Sequence, residues 1–191
     1  MTRISVADAL LIVDVQNDFL PGGALAVPDG DAVIAPIDRL MKLPFGVVVA
    51  TQDWHPFAHC SFVGQGGAWP EHCVAGSRGA ALADGLDRRS ITLTLQKGTS
   101  QAVDSYSAFV DNDRVTHTIL EEWLRQRNIT RVFVTGLALD YCVMATAMDA
   151  RLCGFDSFVV LDACRGIAPE SVAIARAQAA GIKLLKEQDL S

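Results

Sequence analysis

Apolar residues fall in six short runs along the chain, at 9–15, 46–51, 91–95, 131–135, 155–161 and 182–185. Several are nearly continuous rather than alternating, which predicts β-strands covered on both faces. Between them lie stretches with helical spacing at 31–41, 115–126, 140–153 and 169–180. In the last of these Pro169 takes a first-turn position, where its missing N–H costs nothing. Gly181 follows the end, where a left-handed residue is favoured. Strand and helix in alternation predict a doubly wound α/β fold: a mostly parallel six-stranded sheet, helices on both faces, right-handed crossovers.

Two stretches break the alternation. Residues 53–79 are rich in Gly, Pro, His and Trp, and residues 98–112 are polar. Each follows a predicted strand, so each is expected to hang as a loop insertion over the carboxyl edge of the sheet, within one domain spanning 1–191. Long loops in compact domains are more often functional than idle.

Composition narrows the function. Half of the 191 residues are hydrophobic and a fifth are charged, as in a compact soluble protein. The net charge of -6 is spread without blocks, so no basic stripe exists for a phosphate backbone and nucleic acid is not an expected partner. No apolar run approaches the ~20 residues of a membrane helix, and the run at 9–15, interrupted by Asp14, reads as a core strand rather than a leader. Five cysteines are an odd number without repeated spacing. That pattern suits a reducing, cytoplasmic setting better than a disulfide framework.

Three polar residues stand where apolar runs end. Asp14 closes the first run, Lys97, one of four lysines, follows the third, and Cys142 comes shortly after the fourth. Each has an ordinary explanation: an Asp capping the turn with Asn17, a solvated strand-end lysine, a cysteine serving as a small buried apolar residue. Together they occupy the carboxyl ends of three parallel strands, which in open α/β sheets converge on the ligand crevice. A thiol there needs a base to take its proton and a cation to stabilise the thiolate, and Asp and Lys supply both. The helix beginning near Cys142 adds a positive dipole end that favours thiolate.

A second set is Asp53, His55 and His72. Asp and His two apart on an extended segment project to the same side, and three ligands leave positions open on a catalytic metal. Such a set fits Zn, Fe or Mn without choosing among them. His59, four residues after His55, suits loop structure equally well and is left out of the metal set. His117 reads as a surface histidine on the helix at 115–126, and Trp123 as core. The scarce loop aromatics Phe19, Trp69 and Tyr106 follow these strands and are placed to stack on a flat ring or to pack against their own loops.

With these residues in view the chain resembles the isochorismatase-like cysteine hydrolases, and within them the bacterial nicotinamidases. The match runs over almost the whole length. It is carried by Asp14-Val15-Gln16-Asn17-Asp18-Phe19 with Pro21-Gly22-Gly23-Ala24-Leu25, by Thr51-Gln52-Asp53-Trp54-His55-Pro56, by Trp69-Pro70-Glu71-His72-Cys73-Val74, by Lys97-Gly98, by Asp104-Ser105-Tyr106-Ser107-Ala108-Phe109, and by Gly136-Leu137-Ala138-Leu139-Asp140-Tyr141-Cys142-Val143. The resemblance implies a catalytic triad of Asp14, Lys97 and Cys142 and a divalent metal, zinc first with iron or manganese as alternatives, on Asp53, His55 and His72. It implies Phe19 and Trp69 around a pyridine ring with Tyr106 nearby. It also implies a cis bond before Ala138 that turns this amide toward that of Cys142 as an oxyanion hole. The expected activity is hydrolysis of nicotinamide to nicotinate and ammonia through a cysteine thioester. The alternatives are a related amidase of carbamoyl or ureido substrates, a vinyl-ether-cleaving isochorismatase, and an inactive metal-binding protein. Homo-oligomerisation is compatible with all of them. His59 and Ser61 are the loop residues that could join the metal.

Overall fold

The computed structural model describes residues 1–191. Its centre is β1 (Asp8–Val13), whose six residues are all buried. Alternate side chains serve opposite faces: Ala9, Leu11 and Val13 enter one apolar cluster, while Leu10 and Ile12 enter another. A strand with core on both sides has no polar face to show, which is why its sequence is an unbroken apolar run.

Following β1 are α1 (Ile34–Leu40), β2 (Val47–Asp53), β3 (Leu93–Lys97), α2 (Leu120–Arg125) and β4 (Arg131–Gly136). The chain closes with α3 (Met144–Leu152), β5 (Asp156–Cys164), α4 (Glu170–Ala179) and β6 (Lys183–Leu185). All six strands run parallel in the order β3-β2-β1-β4-β5-β6. Helix α1 packs on one face through Ile37 and Leu40. Helices α2, α3 and α4 cover the other through Leu120, Leu124, Met144, Ala147, Ala150, Ala173 and Ala177. This is the doubly wound architecture the sequence predicts.

The strand order has a consequence for the site. From β1 the chain winds outward through β2 to β3, and from β4 it winds the opposite way through β5 to β6, so the direction reverses between β1 and β4. Such a switch point parts the crossover segments and leaves a crevice at the carboxyl edge. Asp14 and the turn carrying Cys142 leave the sheet at that place.

One predicted helix and the placement of three residues differ. The helix expected over 115–126 is confined to α2, because Asp113 accepts the Val115 and Thr116 amides at 2.9 Å each and keeps this stretch in a turn. His117 therefore lies off the helix, bridged to Val110, although it is exposed as expected. Trp123 is half-buried rather than core, with the Arg127 guanidinium 3.8 Å from its ring centroid. Pro169 precedes α4 with an extended ψ of 138° and caps it from outside instead of occupying its first turn. Gly181 takes a positive φ of 68° just past the end of α4, the left-handed stop the sequence suggests.

Candidate active site

The chain leaves β1 with Asp14 at a positive φ of 50°, a conformation that Asp and Asn tolerate better than most residues. The Asp14 amide donates to Thr51 Oγ1 at 3.1 Å, and the Thr51 hydroxyl donates to Asp14 Oδ1 at 2.6 Å. Asn17 is engaged elsewhere, donating to the Arg78 carbonyl at 2.9 Å, so the turn-cap explanation for Asp14 fails. Lys97 ends β3 in register with Asp53 on β2. Because β3 lies two strands from β1, roughly 10 Å at the ~4.8 Å strand spacing, only a long side chain spans the gap. Lys97 Nζ lies 2.5 Å from Asp53 Oδ1, 2.9 Å from Asp14 Oδ2, 3.0 Å from the Ser105 carbonyl oxygen and 3.5 Å from Cys142 Sγ. It is only 2% exposed, which removes the reading of a solvated strand end.

Cys142 sits in a π turn, Leu139–Val143, that links β4 to α3. Its sulfur and a carboxylate oxygen of each of Asp14 and Asp53 lie within 4.8 Å of one another. Asp14 Oδ2, though beside the ammonium, accepts no well-formed hydrogen bond. That oxygen is free to face the thiol.

One ammonium thus meets two carboxylates and a thiol in a space closed to water. Burial works against the Lys97 charge, yet Asp14, Asp53 and Cys142 together hold its pKa well above the usual lysine value. Burial raises the Asp14 pKa in spite of Lys97, with Asp53 adding to the rise. For Asp53 burial is outweighed by Lys97, His55 and His72, so its pKa is lowered. Burial pushes the Cys142 thiol well above its ordinary value, with Lys97 opposing and the two carboxylates reinforcing. Burial and the two carboxylates therefore oppose a resting thiolate, and the proton has to be taken by a neighbour, as the sequence reading expects of Asp14.

The peptide bond between Leu137 and Ala138 is cis. The Ala138 N–H donates to no group in the protein.

Beside the triad residues stand Asp53, His55 and His72, with one donor atom of each within 4.8 Å of the others. His55 Nδ1 lies 3.0 Å from the Gly98 carbonyl oxygen and His72 Nδ1 lies 2.7 Å from that of Pro70. A carbonyl only accepts, so each Nδ1 carries a proton, and in the neutral ring each Nε2 keeps a lone pair, the tautomer that metal-ligating histidines show. The His55 Nε2 is 3.6 Å from Asp53 Oδ2. Two imidazoles and a carboxylate with their second nitrogens already committed fit a divalent metal ion. His59 differs: its Nε2 is 3.1 Å from the Val103 carbonyl oxygen and its Nδ1 is 2.7 Å from Ser61 Oγ. Both of its nitrogens are engaged, and its ring stacks on that of His55 with centroids 4.0 Å apart.

An apolar pocket opens in front of Cys142. Phe19, Trp69 and Tyr106 line it as the sequence suggests, together with Asp53, His72, Asp104 and Ala138. The Trp69 indole N–H donates to the Tyr106 hydroxyl at 3.2 Å. Leu25, Val27, Tyr141 and Ile167 complete the walls. Sequence reasoning gave these four no role, nor Thr51, the Ser105 carbonyl or Gln16. The Gln16 side chain accepts from the Asp53 amide at 2.8 Å and donates to the Asp53 and Ala80 carbonyls at 2.9 and 2.8 Å, which fixes the end of β2. The signal for Gln16, Thr51 and Tyr141 was present: each is a polar or aromatic residue inside a motif, one or two positions from an aspartate.

A parallel α/β sheet with a thiol, a carboxylate and an ammonium at its switch point defines a class of hydrolase, and the family comparison agrees. The model described as the isochorismatase domain matches residues 8–188, and the chain belongs to the isochorismatase family. Within it the similarity is to nicotinamidases. The nicotinamidase of Escherichia coli (strain K12) is 44% identical over 177 residues, covering 83% of each chain. The PnC1 protein of L. infantum, solved in complex with nicotinate, is 45% identical with a TM-score of 0.96, covering 100% of this chain and 98% of its own. The pyrazinamidase of Pyrococcus horikoshii, solved in complex with zinc, is 37% identical with a TM-score of 0.83, covering 94% of this chain and 99% of its own.

Proposed function

We propose that the protein is a nicotinamidase that converts nicotinamide to nicotinate and ammonia through a thioester on Cys142. The observation that carries the reading is the convergence of Cys142 Sγ, Lys97 Nζ and Asp14 Oδ2 in one buried cluster beneath an aromatic pocket. The nicotinate bound by the PnC1 relative agrees with the product, and the apolar, aromatic-lined pocket agrees with a pyridine ring.

Asp14 Oδ2 takes the Cys142 proton as the sulfur attacks the carboxamide carbon. Burial makes Asp14 a stronger base than a solvated aspartate, and the Lys97 ammonium balances the sulfur's growing charge. In this reading the free Ala138 N–H and that of Cys142 receive the carbonyl oxygen as it becomes an oxyanion. Protonated Asp14 returns its proton to the amine, the C–N bond breaks, and ammonia leaves. Water then adds to the thioester carbon with Asp14 as base, the C–S bond breaks, and the thiol takes the proton back as nicotinate departs. Asp53, His55 and His72 are the residues that would hold a divalent metal, zinc by analogy with the Pyrococcus horikoshii protein. Bound there, the ion supplies a Lewis acid for the ring nitrogen or for a water.

The test is ammonia release from nicotinamide against a panel of carbamoyl and ureido compounds. Nicotinamide is expected to be the preferred substrate, and Cys142→Ala is expected to lower its turnover by at least about 1,000-fold. Ammonia release by Cys142→Ala at the wild-type rate removes the thioester, and faster turnover of a carbamoyl compound removes the substrate.

A further inference from the structure

Beyond β5 the segment 165–168 doubles back over the pocket and is tied to the turn that carries Cys142. The Leu139 amide donates to the Arg165 carbonyl at 2.7 Å, and the Arg165 amide donates to that of Gly136 at 3.3 Å. The firmest tie is Asp140, a side chain only 5% exposed, whose Oδ1 accepts from the Ile167 amide at 2.9 Å and Oδ2 from the Ala168 amide at 2.8 Å. An aspartate at the start of a helix ordinarily caps its own first turn. Asp140 instead commits both oxygens to amides 27 and 28 residues further on. The approach is so close that a Cβ on Gly166 would stand 2.8 Å from Asp140 Oδ1 and 3.3 Å from Leu139 Cβ, so only glycine fits between the two segments.

The outcome of this strapping is the placement of one side chain. Ile167 lines the pocket with Tyr141, Ala138 and Cys142, and it is 43% exposed, so it forms the rim rather than the floor. Asp140 takes no part in the proton path, since its carboxylate meets only backbone amides. We propose that Ile167 is a specificity-determining residue, whose branched side chain limits which ring substituents enter, and that Asp140 is the positioning residue that holds it there. The proposal rests on the amidase reading above. A β-branched side chain is stiff about its first torsion, so a rim built from it excludes bulk better than a straight chain of the same size. The nicotinamide ring fits beneath it, and a methyl group on the ring edge nearest the mouth does not.

The experiment compares kcat/KM for nicotinamide with that for its 2-, 4-, 5- and 6-methyl derivatives. Wild-type turnover of nicotinamide is read first: a wild type inactive on it overturns the amidase reading and this inference with it. Given an active wild type, Ile167→Ala is expected to raise the methyl-to-unsubstituted ratio at least about tenfold for one ring position, the discrimination that a methyl-sized change in an apolar wall provides. Asp140→Asn keeps one acceptor but turns an N–H2 group toward the other amide. It is expected to shift the same ratio in the same direction, raising KM more than it lowers kcat, and to add nothing in an Ile167→Ala background. If Asp140→Asn does not fold, Gly166→Ala displaces the strap from the other side and carries the same expectation. Unmoved ratios in Ile167→Ala overturn the rim. A fall in kcat at constant ratio in both Asp140→Asn and Gly166→Ala overturns the positioning role and leaves these residues as supports of the nucleophile turn.

Discussion

Asp14 shows how a single residue can serve chemistry at the expense of stability. A buried carboxylate is stable only if its charge is matched, and here burial outweighs the Lys97 ammonium, so the Asp14 pKa is raised. By linkage, a raised acid adds stability below its unfolded value of about 3.9 and loses it as the pH rises through the folded value. At neutral pH the charge of Asp14 is therefore a burden on the fold, one that the proposed role as base beside the thiol requires. Asp14→Asn removes the charge and leaves Lys97 paired with Asp53 at 2.5 Å. The amide can turn its oxygen to Lys97 and its N–H2 to the Thr51 hydroxyl oxygen. Ammonia release is expected to drop by at least about 1,000-fold while the midpoint of thermal unfolding stays level or rises. A clear fall in that midpoint would mean that the ion pair stabilises the protein, against the direction assigned to Asp14.

Among the elements, the ends of β2 and β3 work as one unit. Asp53 and Lys97 are partners in the parallel ladder, and the next residue after Lys97, Gly98, accepts the His55 Nδ1 proton through its carbonyl at 3.0 Å. Gly98 has a positive φ of 62°, and a Cβ there would meet His55 Cε1 at 2.6 Å. Gly98→Ala is thus expected to tilt the imidazole and weaken binding of a divalent metal by about 10- to 100-fold, as loss of an outer partner of a metal histidine does. Competition with a chelator reads this directly, and wild-type affinity in the variant would rule out the buttress. The same elements show what the sequence reveals. The inner strands were legible because burial on both faces leaves continuous apolar runs, and Asp14, Lys97, Asp53 and Cys142 stood out as charged or reactive groups at or just after strand ends. The start of α2 was not legible, because at 115–119 the apolar spacing of a helix competes with the Asp113 turn, and a local side-chain hydrogen bond wins. Ser105 contributes a carbonyl, which every residue has, and Ile167 matters through the path of a strap set by tertiary contacts. Neither leaves a mark in composition or period.

For the molecule as a whole, the two-faced core that shapes the site also shelters thiols. All five cysteines are free, and Cys73, Cys142 and Cys164 are buried. Burial is the largest cause of the upward shift in each, and it raises Cys153, which is only partly covered, to about 12. An unfolded chain exposes these thiols at their ordinary value of about 8.5. A group whose native pKa is raised contributes stability below its unfolded value and loses it as the pH climbs toward the native one. Stability is therefore expected to be flat in this respect up to about pH 8 and to fall steeply above about pH 9, each fully buried thiol adding up to about 1.4 kcal/mol per pH unit. Small domains carry only about 5 to 15 kcal/mol of stability, so the three buried thiols suffice to unfold the protein within a few pH units. Cys153 adds less because solvent reaches it. Cys164 is the residue to alter, since its thiol is not among the groups that meet Lys97 and its sulfur bonds the Val160 and Val134 carbonyls at 3.3 and 4.0 Å. Cys164→Ala is expected to cost some packing at neutral pH yet to flatten the alkaline slope by roughly a third, one of the three buried thiols having been removed. Thermal unfolding from pH 7 to pH 10.5 measures both slopes. Parallel slopes in the two proteins would assign the alkaline loss to lysines or tyrosines instead of to thiols sealed in the core.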